Sequence, residues 1–286
     1  MTADRVHAAP SIAQSMREYG RGLAGGLIFS LPLLYTMEVW WAGLIASPER
    51  MIAFLAFIFI LLLGYNRHAG MRNDASWIEI AIDSVEELGL GIVTSALALF
   101  LTGRIGPQCT LDEALGLVIV EAGVVAIGFS VGTAQLGADS EGESGMGAKN
   151  KKRDDADFTG QIVITISGAV LFASNVAPTE EILLIAVETA PVRLLGLFVL
   201  SLMLTALILY FSEFTRAHRY APIEKKREAA AGTIITYAIA LAASALILWF
   251  FGRFDGQALD VIVAEIVVLG LPATLGASAG RLLMQS

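Results

Sequence analysis

Charged residues are scarce in this 286-residue chain: Asp, Glu, Lys and Arg make up 16% of it, against 56% hydrophobic residues. A soluble globular domain carries charge on about a quarter of its residues. The shortage of charge therefore excludes an ordinary soluble domain and places the chain among membrane proteins.

Cysteine and histidine are scarce as well, which removes several kinds of site. The single cysteine, Cys109, excludes an intramolecular disulfide, and the three histidines lack the spacing of metal ligands. The formal net charge of −8 argues against nucleic acid as a partner. Because the sequence has no HExxH motif and no histidine within a predicted membrane segment, we expect no enzyme activity, no catalytic residue, no bound metal and no cofactor.

Long apolar runs are abundant instead. Eight segments are long enough to cross about 30 Å of hydrocarbon as helices, and they lie at 22–45, 51–66, 80–103, 112–136, 159–187, 194–213, 230–251 and 259–283. The first is too long for the core of a signal peptide and is interpreted as a retained helix. The chain is therefore predicted to be an all-α, polytopic transmembrane helical bundle.

Polar stretches divide this bundle into four parts. Residues 1–21 form a tail, 22–137 a first group of four helices, 138–158 a charged linker and 159–286 a second group of four. With the N-terminus inside, fifteen of the 19 Lys and Arg residues fall on the cytoplasmic side. Basic residues concentrate in cytoplasmic loops, so both termini and the linker are predicted to be cytoplasmic.

The two groups of four resemble each other. Ser95–Arg104 matches Ser244–Arg253 at six of ten positions, with an offset of 149 residues. At an offset of 143, Gly25, Phe29, Glu38, Pro48 and Arg50 meet Gly168, Phe172, Glu181, Pro191 and Arg193. Because four is an even number of spans, both copies enter the membrane from the same side. We therefore predict two parallel four-helix repeats.

Acids toward the outer side of two segments are the first candidate site. Glu38, Glu180 and Glu181 each follow a proline within the same apolar segment, Pro32 or Pro178. Proline removes a backbone donor, and proline-interrupted helices at corresponding places in two repeats often mark a transport site. The alternative is an ordinary kinked helix whose glutamate reaches the headgroup region.

Acids toward the inner side of the third segment are the second candidate. Ser76 and Glu79 have the spacing of a capping box, which places Asp83, Glu86 and Glu87 on one face of the following helix. The apolar run after them is short, so these acids are predicted to lie partly within the membrane. The alternative is a helix that projects into the cytoplasm.

Single acids in the fourth and eighth segments, Glu121 and Glu265, complete the set. An ionisable group within a membrane segment costs about 2.5–3.5 kcal/mol on insertion scales, which suggests a function. Either acid could instead satisfy a buried polar network. Glycines spaced four apart, Gly22–Gly26, Gly128–Gly132 and Gly276–Gly280, are interpreted as helix-packing positions.

The runs RGLAGGLIFSLPLLYTMEVWW, SVEELGLG and VAPTEEILL resemble an uncharacterised bacterial family of integral membrane proteins, a domain of unknown function. The resemblance extends from Gly20 to near the end of the chain and implies a similar number of membrane segments. It implies the bacterial cytoplasmic membrane as the location. It carries no site residue, because the family has no assigned activity.

These patterns favour a transporter or channel for a small cation or protons, in contact with the lipid bilayer. Its route would use Glu38, Glu180, Glu181, Glu121 and Glu265 on the outer side and Asp83, Glu86 and Glu87 on the inner side. The alternative is a non-transporting scaffold or sensor that acts through the linker and the basic stretch Arg216–Arg227. A basic stretch of this kind also binds anionic lipid headgroups.

Overall fold

The computed structural model describes residues 12–70, 76–136, 158–214 and 223–285. Every regular element in these ranges is a helix, so the predicted all-α class is confirmed. The ten helices are α1 (Ile12–Leu34), α2 (Met37–Ile45), α3 (Pro48–His68), α4 (Trp77–Leu101), α5 (Leu111–Leu136), α6 (Phe158–Val176), α7 (Glu180–Glu188), α8 (Pro191–Phe214), α9 (Ile223–Phe250) and α10 (Leu259–Gln285).

Seven of these helices are long and apolar enough to cross a membrane, and α1 with α2 gives an eighth span if that bent pair is counted as one. All eight predicted segments therefore fall on helices. The predicted linker lies almost wholly outside the described residues, as does most of the stretch Arg216–Arg227.

The first predicted segment is wrong in one respect, because it is not a continuous helix. Helix α1 ends at Leu34, two residues after Pro32, and the chain bends by 86° before α2 begins at Met37. Two short-range backbone bonds form the turn, Tyr35 N to the carbonyl of Pro32 and Thr36 N to that of Leu33. Proline has no N–H to continue a helix and favours such a break.

The fifth predicted segment, 159–187, is likewise two helices rather than one. Helix α6 ends at Val176, Pro178 lies in the break, and α7 begins at Glu180. The backbone N–H of Thr179 donates to the carbonyl of Val176 in this turn. Helix α7 has nine residues, far fewer than the roughly 20 of a spanning helix.

Glycines bring the long helices together in two places. A Cβ added at Gly25 of α1 would lie 2.7 Å from the carbonyl oxygen of Gly128 in α5. One added at Gly280 of α10 would lie 2.9 Å from the carbonyl oxygen of Ile164 in α6, beside the contact of Gly168 with Gly276. Both helix pairs therefore pack backbone against backbone, as the glycine spacing predicted.

The core lies where these two pairs meet. Helix α6 packs against α1, α3 and α5 of the first half, and Phe54 of α3 stacks on Phe250 of α9 with ring centroids 4.0 Å apart. Helix α8 lies at the edge and exposes Val192, Leu195 and Met203. In a membrane protein such an apolar outer surface faces lipid.

Candidate functional site

A buried hydrogen-bonded cluster joins three helices of the first half. Asn66 of α3 donates from Nδ2 to Oε2 of Glu87 at 2.7 Å and to Oγ of Ser84 at 3.1 Å, both in α4. Ser130 of α5 donates to the amide oxygen of Asn66 at 3.0 Å. The four side chains are at most 9% exposed, so they lie within the protein rather than at its surface.

The start of α4 positions two members of this cluster. Ser76 and Glu79 form the predicted capping box, in which Glu79 N donates to Ser76 Oγ and Ser76 N to Glu79 Oε2. The helix therefore begins at Trp77, and Ser84 and Glu87, three residues apart, lie on the same face. Ser84 donates its own proton to the carbonyl of Ile80, which leaves its oxygen free to accept from Asn66.

The other two inner acids stand differently. Glu86 is exposed and accepts a hydrogen bond from Tyr19 of α1, whereas Asp83 is half-buried. Both bring negative charge close to Glu87, since Asp83 lies one helical turn before it and Glu86 is the preceding residue. Of the three, the structure places Glu87 in the polar cluster.

Glu121 occupies a second buried position, in α5. Its side chain is fully buried beside Leu117, Val118 and Ala122, and neither carboxyl oxygen has a hydrogen-bond partner among the described residues. The indole of Trp40 in α2 faces it, yet Trp40 Nε1 also lacks a partner with ordinary hydrogen-bond geometry. The acid therefore lies in a largely apolar surrounding.

Glu265 is a third buried acid, and it lies in α10. It too is fully buried, and both of its oxygens lack a hydrogen-bond partner within the described ranges. Arg253, just beyond α9, acts on it electrostatically. The Arg253 guanidinium donates to the carbonyl of Pro178, in the break between α6 and α7.

The remaining predicted acids lie at the starts of the two short helices. Glu38 is half-buried in the first turn of α2, and Glu180 and Glu181 are exposed in the first turn of α7. Negative charge is favourable there because it offsets the helix dipole. The buried acids are thus Glu87, Glu121 and Glu265.

Three polar members of the inner cluster, Asn66, Ser84 and Ser130, were not predicted as site residues. Asn66 carried a usable signal, because an amide at the end of an apolar segment needs a partner once the helices pack. Ser130 lies between Gly128 and Gly132, which were interpreted as helix-packing positions, whereas Ser84 carried no signal because serine is common in membrane helices.

The structure limits the metal ions and small molecules that the described part of the chain could bind. No group of three or more His, Cys, Asp or Glu side chains in the described ranges could bind a metal ion. A cavity of about 30 Å³, lined by Phe29, Tyr65, Ser167 and Phe172 among others, lies where α6 meets α10. A cavity of this size has room for about one or two water molecules.

These features define a multispanning helical membrane protein with buried acids. The chain belongs to the family described as "Putative integral membrane protein (DUF2391)", whose model matches residues 18–284. The resemblance drawn from the sequence is thereby confirmed. No curated protein and no solved structure matches the chain.

Proposed function

We propose that this protein moves protons or a small cation across the bacterial cytoplasmic membrane, with Glu87 as the carboxylate that binds the ion on the inner side. The observation that carries the proposal is the Asn66–Ser84–Glu87–Ser130 cluster, because an acid within a membrane span is costly to bury. A helix needed only as a scaffold would gain stability from an apolar residue there. The proposed role is binding and transfer, with no enzyme chemistry.

The proton is the favoured ion. Asn66 turns its N–H toward Glu87, while its oxygen accepts from Ser130. A hard metal cation would need several oxygens directed at it, and the amide nitrogen occupies one of those directions. A proton site needs fewer groups. One carboxyl oxygen takes up the proton, and one donor such as the Asn66 amide stabilises the carboxylate after the proton has left.

The proposal includes the duplicated architecture with cytoplasmic termini. Helices α2 and α7 both have nine residues and begin 143 residues apart, and α3 and α8 begin at prolines separated by the same offset. Asn66 and Glu87 correspond at the sequence offsets to Leu209 and Thr236. We infer that the second copy supplies the scaffold and that the first copy supplies the ion site.

The test is proton flux into proteoliposomes that contain the purified protein, followed with an enclosed pH-sensitive dye under an imposed pH gradient. Glu87→Gln keeps the shape of the carboxyl and removes its proton exchange, so we expect flux to fall to that of protein-free vesicles. Wild-type protein that conducts no more than empty vesicles, under gradients of protons, Na⁺ and K⁺, would refute the proposal.

A matched control is Glu188→Gln, which removes an exposed acid from the last turn of α7. We expect this variant to retain wild-type flux. If it lost flux to the same extent as Glu87→Gln, the effect would reflect overall charge and would contradict a specific role for Glu87.

A further inference from the structure

Glu121 and Glu265 have no role in the cluster around Glu87, although they are more deeply buried than any other acid in the described ranges. Both are 0% exposed, and all four carboxyl oxygens lack hydrogen-bond partners there. An ionised carboxylate in this condition is strongly disfavoured, and such groups neutralise instead. Each is therefore expected to hold a proton in the conformation described, and in Glu265 burial outweighs the opposing influence of the Arg253 charge.

The groups around each acid argue against a metal cation as its neutralising partner. Trp40 turns an indole N–H toward Glu121, and the Arg104 guanidinium lies over the Trp40 ring, 4.0 Å from its centroid. Arg253 acts on Glu265, and a guanidinium repels a second cation. Neither position therefore offers the oxygen ligands that Na⁺, K⁺ or a divalent ion requires.

Each acid is also connected to a break in the membrane helices through one neighbouring side chain. Trp40, which faces Glu121, belongs to the short helix α2 that follows the break after Leu34. Arg253, which acts on Glu265, binds the carbonyl of Pro178 within the break before α7. Interrupted backbone at membrane depth occurs where it is enclosed by protein or lines a water-filled cavity, and discontinuous helices form ion sites in transporters.

We propose that Glu121 and Glu265 are two exchangeable proton-binding sites, one beside the α1–α2 break and one beside the α6–α7 break. In each site a protonated carboxyl gives its proton to water that enters at the break and later regains one. This inference rests on the proposed function only where it takes the exchanged protons to be the protons that are transported. Binding and exchange of the protons are separate from flux.

Infrared spectroscopy tests the proposal in a detergent free of ester groups. A protonated carboxyl has a C=O stretching band apart from that of a carboxylate, and the band shifts in D₂O when its proton exchanges. We expect wild-type protein at neutral pH to show this band. We also expect Glu121→Gln and Glu265→Gln each to remove part of it and the double variant to remove both parts.

Proton exchange in D₂O distinguishes a proton-binding site from an acid that is buried for structural reasons alone. We expect the bands of Glu121 and Glu265 to shift in D₂O while the protein remains folded. Bands that never shift, or bands unaffected by the two substitutions, would overturn the proposal. Loss of a band on adding Na⁺ or K⁺ would also overturn it, because the sites would then bind a metal cation.

Two further variants guard against misfolding and charge effects. Glu121→Asp and Glu265→Asp keep an acid, so each should move its band without abolishing it, and Glu188→Gln should leave the spectrum unchanged. Failure of the proposed function is visible separately, as wild-type vesicles without flux whose protein still shows both exchangeable bands. Failure of this inference is a conducting protein without those bands.

Discussion

Arg50 and Asp255 form an ion pair across 205 residues of sequence, with Arg50 Nη2 2.6 Å from Asp255 Oδ1. Arg50 lies in the first turn of α3, and Asp255 lies in the loop between α9 and α10. The guanidinium also lies over the Trp249 ring, 5.8 Å from its centroid. Together with the nearby stack of Phe54 on Phe250, the pair ties the two halves of the chain at one end of the bundle.

This pair predicts a small, pH-dependent contribution to stability. The hydrogen bond from Arg50 holds the pKa of Asp255 below its ordinary value, against a slight opposing effect of burial. A lowered pKa means that the stabilisation is fully present above about pH 4, the ordinary range for Asp, and is lost as the pH falls through the lower folded pKa. Exposed pairs contribute less than about 1 kcal/mol, and Asp255 is 61% exposed.

Thermal unfolding in detergent at a series of pH values checks this. Asp255→Asn should unfold slightly below wild type at neutral pH, and the difference should vanish in acid. Glu188→Gln, which removes an exposed acid from the last turn of α7, is the control and should not unfold below wild type. A gap between wild type and Asp255→Asn that widens in acid would contradict the assignment.

The contact between α1 and α5 predicts a large effect from a single methyl group. Gly25→Ala would place a Cβ against the backbone of Gly128 and Gly132, which has no side chain that could move aside. Forcing extra volume into a packed interior costs about 1–3 kcal/mol. We expect a lower unfolding midpoint for Gly25→Ala.

The matched control is Gly89→Ala in α4, where a Cβ would meet nothing within 4 Å. Alanine is the better helix former by about 0.8–1 kcal/mol, so this variant should be neutral or more stable. Equal destabilisation by both substitutions would show that the helix pair does not pack through Gly25.

The Asn66–Glu87 hydrogen bond predicts coupled substitutions. Asn66→Leu removes the donor and leaves a buried carboxylate oxygen unpaired, at a cost of about 1–3 kcal/mol. Glu87→Thr in the same chain removes the acid that needs the donor. The double variant carries Leu and Thr, the residues found at the corresponding positions Leu209 and Thr236. Its loss of stability should therefore be smaller than the sum of the losses in the two single variants.

Unfolding free energies of the wild type, both single variants and the double variant give the coupling as a double-mutant cycle. Residues that share a hydrogen bond couple by about 0.5–3 kcal/mol. Strictly additive costs would exclude a direct bond between the two side chains.

Cys109 predicts a direct test of membrane orientation, since it is the chain's single cysteine and lies in the loop between α4 and α5. With cytoplasmic termini this loop is outside, so a membrane-impermeant maleimide should label it in right-side-out vesicles. Partial burial and the nearby charge of Glu113 raise the pKa of the Cys109 thiol. Labelling should therefore quicken as the pH rises and more thiolate forms.

Moving the cysteine provides the control. Cys109→Ser combined with Ser144→Cys transfers the thiol to the predicted cytoplasmic linker, where the reagent should label it only after the vesicles are permeabilised. The opposite labelling pattern would reverse the orientation.

The spanning helices were predictable because each is specified by its own residues. The predicted segment 112–136 and α5 (Leu111–Leu136) differ by one residue at the start, and 259–283 lies within α10 (Leu259–Gln285). Long apolar runs between polar ends decide such bounds locally. The capping box of Ser76 and Glu79 likewise needs only four consecutive residues.

The helix breaks and the polar cluster were less accessible. Pro32 and Pro178 predicted kinks, but the full bend after Leu34 depends on α2 packing against α5, where Gly43 meets the backbone of Gly116. The helices on either side of each break are largely apolar, so a hydropathy pattern averaged over a long window runs across both breaks. Glu87 was identified as a candidate, whereas Asn66 and Ser130 lie in two other helices, α3 and α5, and become its neighbours only on assembly.

The glycine contacts have a mechanical consequence. At the contacts of Gly25 with Gly128 and of Gly168 with Gly276, main chain touches main chain, so no side-chain rotamer at these contacts can absorb sliding. Each pair should therefore behave as a stiff unit. Any large movement of the helices would then fall on the interface where α6 packs against α1 and α3, and on the breaks after Leu34 and Val176.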